Sequence, residues 1–425
     1  MQRYGYFATF AKRESDLFWK FMKQKNKIFV VFLLLVLLCL YACEKEKESL
    51  SVDGLVIDLT TAIHKPIFYS DVFDKIEYIK LETTPDCLIE SNSYVHLTDK
   101  YIVAFYHKSQ SAYLFDRKTG KFIKQIGRMG QGPNEYNVLS VPIFDESESI
   151  LYFDRKKDWI GYHIETGNSS VIKQPVTFER SVLEHNIIIS SIKNFIKIDS
   201  TAYLGYVNNI GGNDSIRLVV FDKAGFVINT FPNFQTFEPY YKGTDQLGIS
   251  FKPIIGQFYQ YQSSFYFKEE TYNDTIYKLT RDSIIPHISF FLGDKQPPYQ
   301  LLGSSEGEIH DYFNVHVIGE CDKHIFFHYY YNRERYFGYF DKTKKQTFVS
   351  NSLENGIALF INDMDDAPSS SLIFINNKGE RFGLLNAERL ANHLENKRGI
   401  NPRLQHLKNI EYDDNPVVVI ATHKK

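Results

Sequence analysis

The sequence predicts an all-β protein: a six-bladed β-propeller of four-stranded blades, its ring closed by pairing N- and C-terminal strands. Three observations predict it. Apolar runs bounded by turn residues recur along the chain, with almost no helical periodicity between them. Aromatic residues make up 16% of the 425 residues, which suits packed pleated surfaces better than helices. The turns near Asp116, Glu165, Asp222, Thr280 and Asp341 fall in steps of about 50 to 60 residues, where a plain four-stranded blade takes roughly 40 to 50. Dividing the mature chain by that step gives six blades with long loops; seven would need shorter blades.

Residues 1–54 read as address rather than fold. From Met22, a basic segment (Lys23, Lys25, Lys27) precedes an apolar run, Ile28 to Leu40, that ends at Leu40-Tyr41-Ala42-Cys43. About 13 apolar residues are too few for a bilayer span of roughly 20 and right for a signal-peptide core. A small residue before cysteine resembles the bacterial lipobox, in which Cys43 becomes the lipidated first mature residue. Residues 22–42 are then the signal peptide, and Met22 is the expected true start, with 1–21 a mis-assigned beginning. Residues 43–54, opening Cys43-Glu44-Lys45-Glu46-Lys47-Glu48-Ser49, form a charged tether with nothing to bury. Of four cysteines, Cys39 is discarded and Cys43 carries lipid, which leaves Cys87 and Cys321 as two buried free thiols. A net charge of −2 implies no nucleic-acid partner.

Residues 55–425 form the propeller. Leu55 to Leu59 and Ile76 to Leu81 alternate apolar with polar residues, as half-buried strands do. Tyr101 to Tyr106, Ala112 to Asp116 and Lys121 to Ile126 come next, the last two forming the outer half of a blade. Ile150 to Asp154 and Trp159 to Ile164 repeat the pattern. So do Ala202 to Val207, Ile216 to Asp222 and Phe226 to Phe231, then Ser264 to Lys268, Thr275 to Leu279 and Ile284 to Phe291. His324 to Tyr331, Tyr336 to Asp341 and Gln346 to Ser350 follow, then Ser371 to Asn376 and Arg381 to Leu385. One helix is predicted, Asn386 to Asn396, with Leu390 and Leu394 on one face and Asn386 as N-cap, inserted in the final blade. Val417 to Ile420 closes the ring, with Leu55 to Leu59 or Ile76 to Leu81 as its partner.

Several stretches together carry a resemblance: Ile76-Glu77-Tyr78-Ile79-Lys80-Leu81-Glu82-Thr83, the bend Gly127-Arg128-Met129-Gly130-Gln131-Gly132-Pro133-Asn134-Glu135-Tyr136, Asn273-Asp274-Thr275-Ile276-Tyr277, and Asp414-Asn415-Pro416. With the lipobox, this order resembles the six-bladed β-propeller lipoproteins of Bacteroidetes, which look like NHL-repeat propellers. The resemblance implies fold and location over essentially the whole mature chain. Asn134 stands where that family more often has glycine.

The bend is the candidate binding site. Its glycines let backbone N–H groups approach a ligand, and Arg128, Gln131, Glu135 and Tyr136 supply charge and hydrogen bonds; the alternative is a structural crossover shaped by Pro133 and the glycines. His324 and His328 share a strand face and read as packed histidines, since a metal would need a third ligand from another blade. Asp274 reads as a strand-entrance turn residue. Asp363, Asp365 and Asp366 lack the glycine and distal glutamate of an EF-hand and read as a solvated acidic loop. The tyrosines at 329, 330, 331, 336 and 339 read as packing, with sugar stacking the alternative. No catalytic motif, cofactor or metal set is read. The functional expectation is a non-catalytic outer-membrane lipoprotein that binds a glycan or an outer-membrane protein partner beside a nutrient-uptake system. The alternative is a propeller enzyme, a glycan lyase, hydrolase or lactonase-like protein using channel carboxylates or a metal.

Overall fold

Three short strands lead the fold, β1 (Leu55–Asp58), β2 (Ile63–Lys65) and β3 (Phe73–Lys80), and each goes to a different blade. The computed structural model describes residues 54–424 apart from 138–140, 156, 176–179, 184–185, 190–191, 210–211, 238–255, 270–272, 304–307, 355 and 398. The expected signal peptide, Cys43 and the expected tether up to residue 53 lie outside the described residues.

Six sheets follow one another around an axis. Blade 1 is Tyr94–Leu97, Tyr101–Tyr106, Ser111–Asp116 and Phe122–Ile126, from inside to outside. Blade 2 is Ile143–Asp145, Ile150–Asp154, Asp158–His163 and Ser169–Lys173. Blade 3 is Ile192–Lys197, Ala202–Val207, Ile216–Asp222 and Val227–Pro232. Blade 4 is Gly256–Tyr261, Ser264–Glu269, Thr275–Leu279 and Ile284–Phe291. Blade 5 is Asn314–Glu320, His324–Tyr331, Glu334–Asp341 and Gln346–Ser350. Blade 6 is Phe374–Ile375, Arg381–Leu385, Val417–His423 and β3. An extra hairpin, Arg180–Leu183 with Asn186–Ile189, sits between blades 2 and 3 and accounts for part of the long step there.

The blades cohere through their faces. Buried apolar side chains form one cluster at each of the six blade–blade contacts, such as Phe105, Leu114, Leu151 and Phe153 between blades 1 and 2. Burying such side chains stabilises by roughly 1.5–3 kcal/mol each, so the ring is held by side-chain packing between sheets whose hydrogen bonds stay internal.

Ring closure selects between the two expected partners. β3 pairs antiparallel with Val417–His423, Ile79 facing Val418, and its Ile76, Tyr78 and Ile79 are buried. β1 instead adds in parallel to the rim of blade 4, Leu55 opposite Ile288, and β2 in parallel to the rim of blade 5, Ile63 opposite Phe348. Val56 in β1 is 54% exposed, which suits a rim and not a blade interior. The N-terminal segment thus covers two sheet edges before it closes the third blade.

The predicted helix is Ala387–Glu395, between the second and third strands of blade 6. Asn386 caps it, accepting from the Arg389 N–H at 2.8 Å, and Leu390, Ala391 and Leu394 are its buried face. No helix among the described residues is long and apolar enough to cross a membrane.

Candidate functional site

The innermost strands of the six blades surround the propeller axis and leave a cavity of about 270 Å³ between them. Every blade contributes: Val95 and His96 from blade 1, Phe144 and Asp145 from blade 2, Phe195 and Lys197 from blade 3. Gln257 and Phe258 come from blade 4, Ile318 from blade 5, Phe374 and Asn376 from blade 6. Phe144, Phe258, Phe265 and Phe374 are only half-buried, so ring surface remains open towards the cavity. The His96 ring packs on Phe144 at 5.1 Å between centroids.

The polar groups differ in what they have left to offer. Asn376 is spent on its turn, accepting from the N–H groups of Lys378 and Glu380 and donating to the Glu380 carboxylate at 2.8 Å. Asp145 uses one oxygen to accept from Ser147 and the Glu148 N–H, while its other oxygen is buried without a partner. Burial pushes the Glu146 carboxyl up to about 7, against the pull of the Asn377 N–H. Burial pulls the His96 imidazole down to about 4. Burial also works against the Lys197 charge, but its ion pair with Glu148 outweighs it and raises the ammonium's pKa. At neutral pH the cavity therefore holds an uncharged imidazole, a carboxyl near its midpoint, and a paired lysine.

This arrangement suits recognition by hydrogen bonding and ring contact. Glycosidic cleavage uses two carboxyls flanking the scissile bond, roughly 5–9.5 Å apart. The two lining carboxyls, Asp145 and Glu146, are sequence neighbours at the end of one inner strand.

The glycine-rich bend turns most of its polarity inward. Glu135 accepts from the Gly132 N–H at 2.8 Å and pairs with Arg128 at 2.5 Å; these two interactions, in that order, hold its carboxyl below the usual range. A Cβ on Gly130 would sit 1.9 Å from that carboxylate, and Gly127 has φ 61° with the Tyr162 ring against it. The Tyr136 ring is buried, stacked on Phe153 at 3.9 Å, and its hydroxyl donates to the Gln110 carbonyl. Blade 2 pins the bend: Tyr162 donates to the Asn134 carbonyl and Arg155 to that of Pro133. Arg128 and Gln131 are exposed. The structure thus brings Arg128 and Glu135 together and separates Tyr136 from them.

The other singled-out residues also have places. His328 stacks on His316 at 4.8 Å and receives a hydrogen bond from Arg335. His324 lies on the same strand face, against Phe326 and Tyr339 and beside Cys321 and His423. Asp274 accepts from the Thr275 hydroxyl at the strand entrance. The acidic loop is not simply solvated: Asp365 is buried and accepts from Tyr78, Asn362 and the Ala367 N–H. Tyr329 stacks on Tyr336, and Tyr339 on Phe348, so these tyrosines pack within and between blades. Cys87 and Cys321 are unpaired and buried.

Sequence reasoning missed the cavity residues because it missed the inner strands. Except in blade 6, where Ser371 to Asn376 spans the inner strand Phe374–Ile375, each predicted unit begins at a blade's second strand. Some inner strands are short, as in Ile143-Phe144-Asp145 and Phe374-Ile375, and others, such as Gly256–Tyr261, mix polar with aromatic residues, so they lack a clean apolar pattern. The one available signal is positional: a polar-aromatic stretch some five residues ahead of each regular strand, at His96, Phe144 and Phe258.

Residues 54–422 match the family described as a domain of unknown function, DUF4934. The fold is similar to that of a Bacteroides fragilis NCTC 9343 protein that carries the name of an exported protein, at 18% identity and a TM-score of 0.61, covering 87% of this chain and 99% of that one. A member of the DUF4221 family from Bacteroides vulgatus ATCC 8482 aligns at 11% identity with a TM-score of 0.48, over 83% of this chain and 97% of that one. No curated protein matches the chain.

Proposed function

The chain belongs to the DUF4934 family, and from that premise we propose a non-catalytic envelope protein that takes the terminal sugar unit of a glycan into its axial cavity. The observation that carries this reading is the set of half-buried phenylalanine rings around a small cavity whose polar groups are mostly uncharged or paired. Ring faces pack on the apolar faces of pyranoses, and Gln257 with Glu146 supplies donors and acceptors for hydroxyls. A volume of about 270 Å³ is at the lower end of ligand pockets, typically ~300–1,000 Å³, so one sugar unit enters and the rest of the glycan stays outside. The address rests on residues 22–43: export by the signal peptide and anchoring of Cys43 in the outer membrane beside a nutrient-uptake system.

The test uses the full chain purified in detergent, screened on a glycan array and then titrated with the best ligand. Phe258→Ala or Phe144→Ala should weaken binding about tenfold or more while the melting temperature stays within a few degrees. If Arg128→Ala with Glu135→Ala weakens binding and the phenylalanine variants do not, the site is the glycine-rich bend. A second reading, an enzyme, is favoured by one feature, the Glu146 carboxyl that stays partly protonated at neutral pH as a general acid must. Turnover of an array ligand that Glu146→Gln abolishes would establish it; binding without turnover supports the leading reading.

A further inference from the structure

Away from the axial cavity, Cys321, His324 and His423 meet at the contact between blades 5 and 6, their candidate ligand atoms all within 4.8 Å of one another. Cys321 opens the turn after the innermost strand of blade 5, and His324 follows three residues later at the head of the second strand. His423 ends the C-terminal strand, the one that closes the ring. Two blades that share no hydrogen-bonded ladder thus supply one cluster.

We propose that Cys321, His324 and His423 bind one Zn²⁺ ion that ties the closing C-terminal strand to blade 5. The residue types are those of zinc sites, thiolate sulfur and imidazole nitrogen, with a fourth position left for water. A second observation points the same way. The Nδ1 of His324 and both ring nitrogens of His423 are buried with no aligned hydrogen-bond partner. The His324 residue is 7% exposed and Cys321 9%. Buried polar atoms normally find partners, and once the Val72 and Gly379 backbone has taken one His423 nitrogen, a bare nitrogen remains on each histidine, as a cation site requires.

The surroundings set the chemistry. Backbone groups of Val72 and Gly379 lie at the His423 ring, placed to hold one N–H and leave the other nitrogen for the metal, the usual outer arrangement of zinc-bound imidazoles. Burial pushes the Cys321 thiol up, and the His324 and Lys323 backbone N–H groups facing its sulfur offset that only in part, so the thiol stays protonated until a cation displaces the proton. The Arg381 guanidinium stands nearby and opposes an additional cation. Binding therefore requires the thiolate: Zn²⁺ replaces the thiol proton, which leaves to solvent, and the net gain in charge is one rather than two. Tetrahedral bonds of ~2.0–2.3 Å put ligand atoms roughly 3.3–3.8 Å apart, so the side chains draw together on binding.

The experiment takes the full chain, stripped by chelator and titrated with Zn²⁺ and, as a spectroscopic probe, Co²⁺. One Zn²⁺ per chain is expected, together with a cobalt–thiolate charge-transfer band and a higher melting temperature with metal. Cys321→Ser should lose the band, Cys87→Ser should keep it, and His423→Gln should bind at least about tenfold more weakly. If Cys321→Ser fails to fold, the half-buried strand-end variant His423→Gln and the wild-type spectrum still decide. A wild-type chain without the band overturns the proposal. So does a Cys321→Ser spectrum equal to wild type, or a His423→Gln variant with unchanged affinity.

Discussion

Asn415 is 1% exposed, and its side chain makes three hydrogen bonds that fasten the closing blade to the start of blade 1. Its Nδ2 donates to the carbonyls of Glu82 at 2.7 Å and Cys87 at 2.9 Å, and its Oδ1 accepts from the Ile89 N–H at 2.9 Å. Asp414 beside it accepts from Thr83 and pairs with Lys80 at 2.6 Å. The Asp414-Asn415-Pro416 and Glu82-Thr83 stretches, far apart in sequence, are thus two halves of one clasp. Leaving such buried groups unsatisfied costs ~1–3 kcal/mol each, so Asn415→Ala should destabilise by roughly 2–4 kcal/mol in denaturant melts. Asn415→Asp preserves volume but turns an acceptor towards two carbonyls, and should be no milder. A loss under about 1 kcal/mol in both would remove the clasp from the account. Glu146 gives a second prediction with a definite sign. Its carboxyl keeps a proton up to about 7 in the folded state and releases it near 4.5 when unfolded. Between those values the native state binds more protons, so its contribution to stability is present below about 4.5 and is lost as pH rises through about 7. Glu146→Gln should match wild type below that window and melt higher than wild type above it; parallel profiles would contradict the shift.

At the scale of elements, Val417–His423 is a third strand, paired on one side with Arg381–Leu385 and on the other with β3. Removing everything after Asn415 exposes an edge on each and opens the apolar contacts of Val418 and Ile420 with blade 1. The truncated protein should aggregate or lose its cooperative transition; an unchanged melting temperature would overturn the closure. Deleting residues 54–62 should act differently, because β1 adds to the rim of blade 4 and does not close the ring. The cost is the loss of Ile57 and Leu59 from the contact between blades 4 and 5. Folding should survive, and self-association by the bared edge should appear in sedimentation. Both consequences follow from an assignment that was half legible. The alternating pattern of Ile76 to Leu81 and the apolar run at Val417 name strands. Only burial in three dimensions distinguishes a closing strand from a rim strand. The inner strands were less legible still. Second strands such as Tyr101–Tyr106 carry long apolar runs, while the inner strands Ile143–Asp145 and Phe374–Ile375 are three and two residues long. The cavity takes residues from all six blades, and no local pattern records that convergence. The Cys321-to-His324 spacing was visible, but His423, some hundred residues on, joins it only through ring closure.

At the scale of the whole molecule, the propeller and its address are separate statements. The described residues from Leu55 onward form one compact unit, with the six interblade clusters and the clasp inside it. No helix among its described residues is long and apolar enough to cross a membrane, and the proposed address rests on residues 23–43: a basic start, a short apolar core and a cysteine after a small residue. A single acyl chain holds a protein only marginally, whereas the several chains of a lipidated N-terminal cysteine anchor it stably. Cys43→Ala should therefore abolish palmitate labelling and move the protein from the membrane to the soluble fraction. Its melting temperature and its glycan affinity should not change, because neither the cavity nor the clasp includes residue 43. Labelling and fractionation both equal to wild type would refute the lipid anchor. Loss of labelling with membrane retention would mean that a protein partner holds the propeller at the membrane, and the ligand to seek would then be that partner's surface.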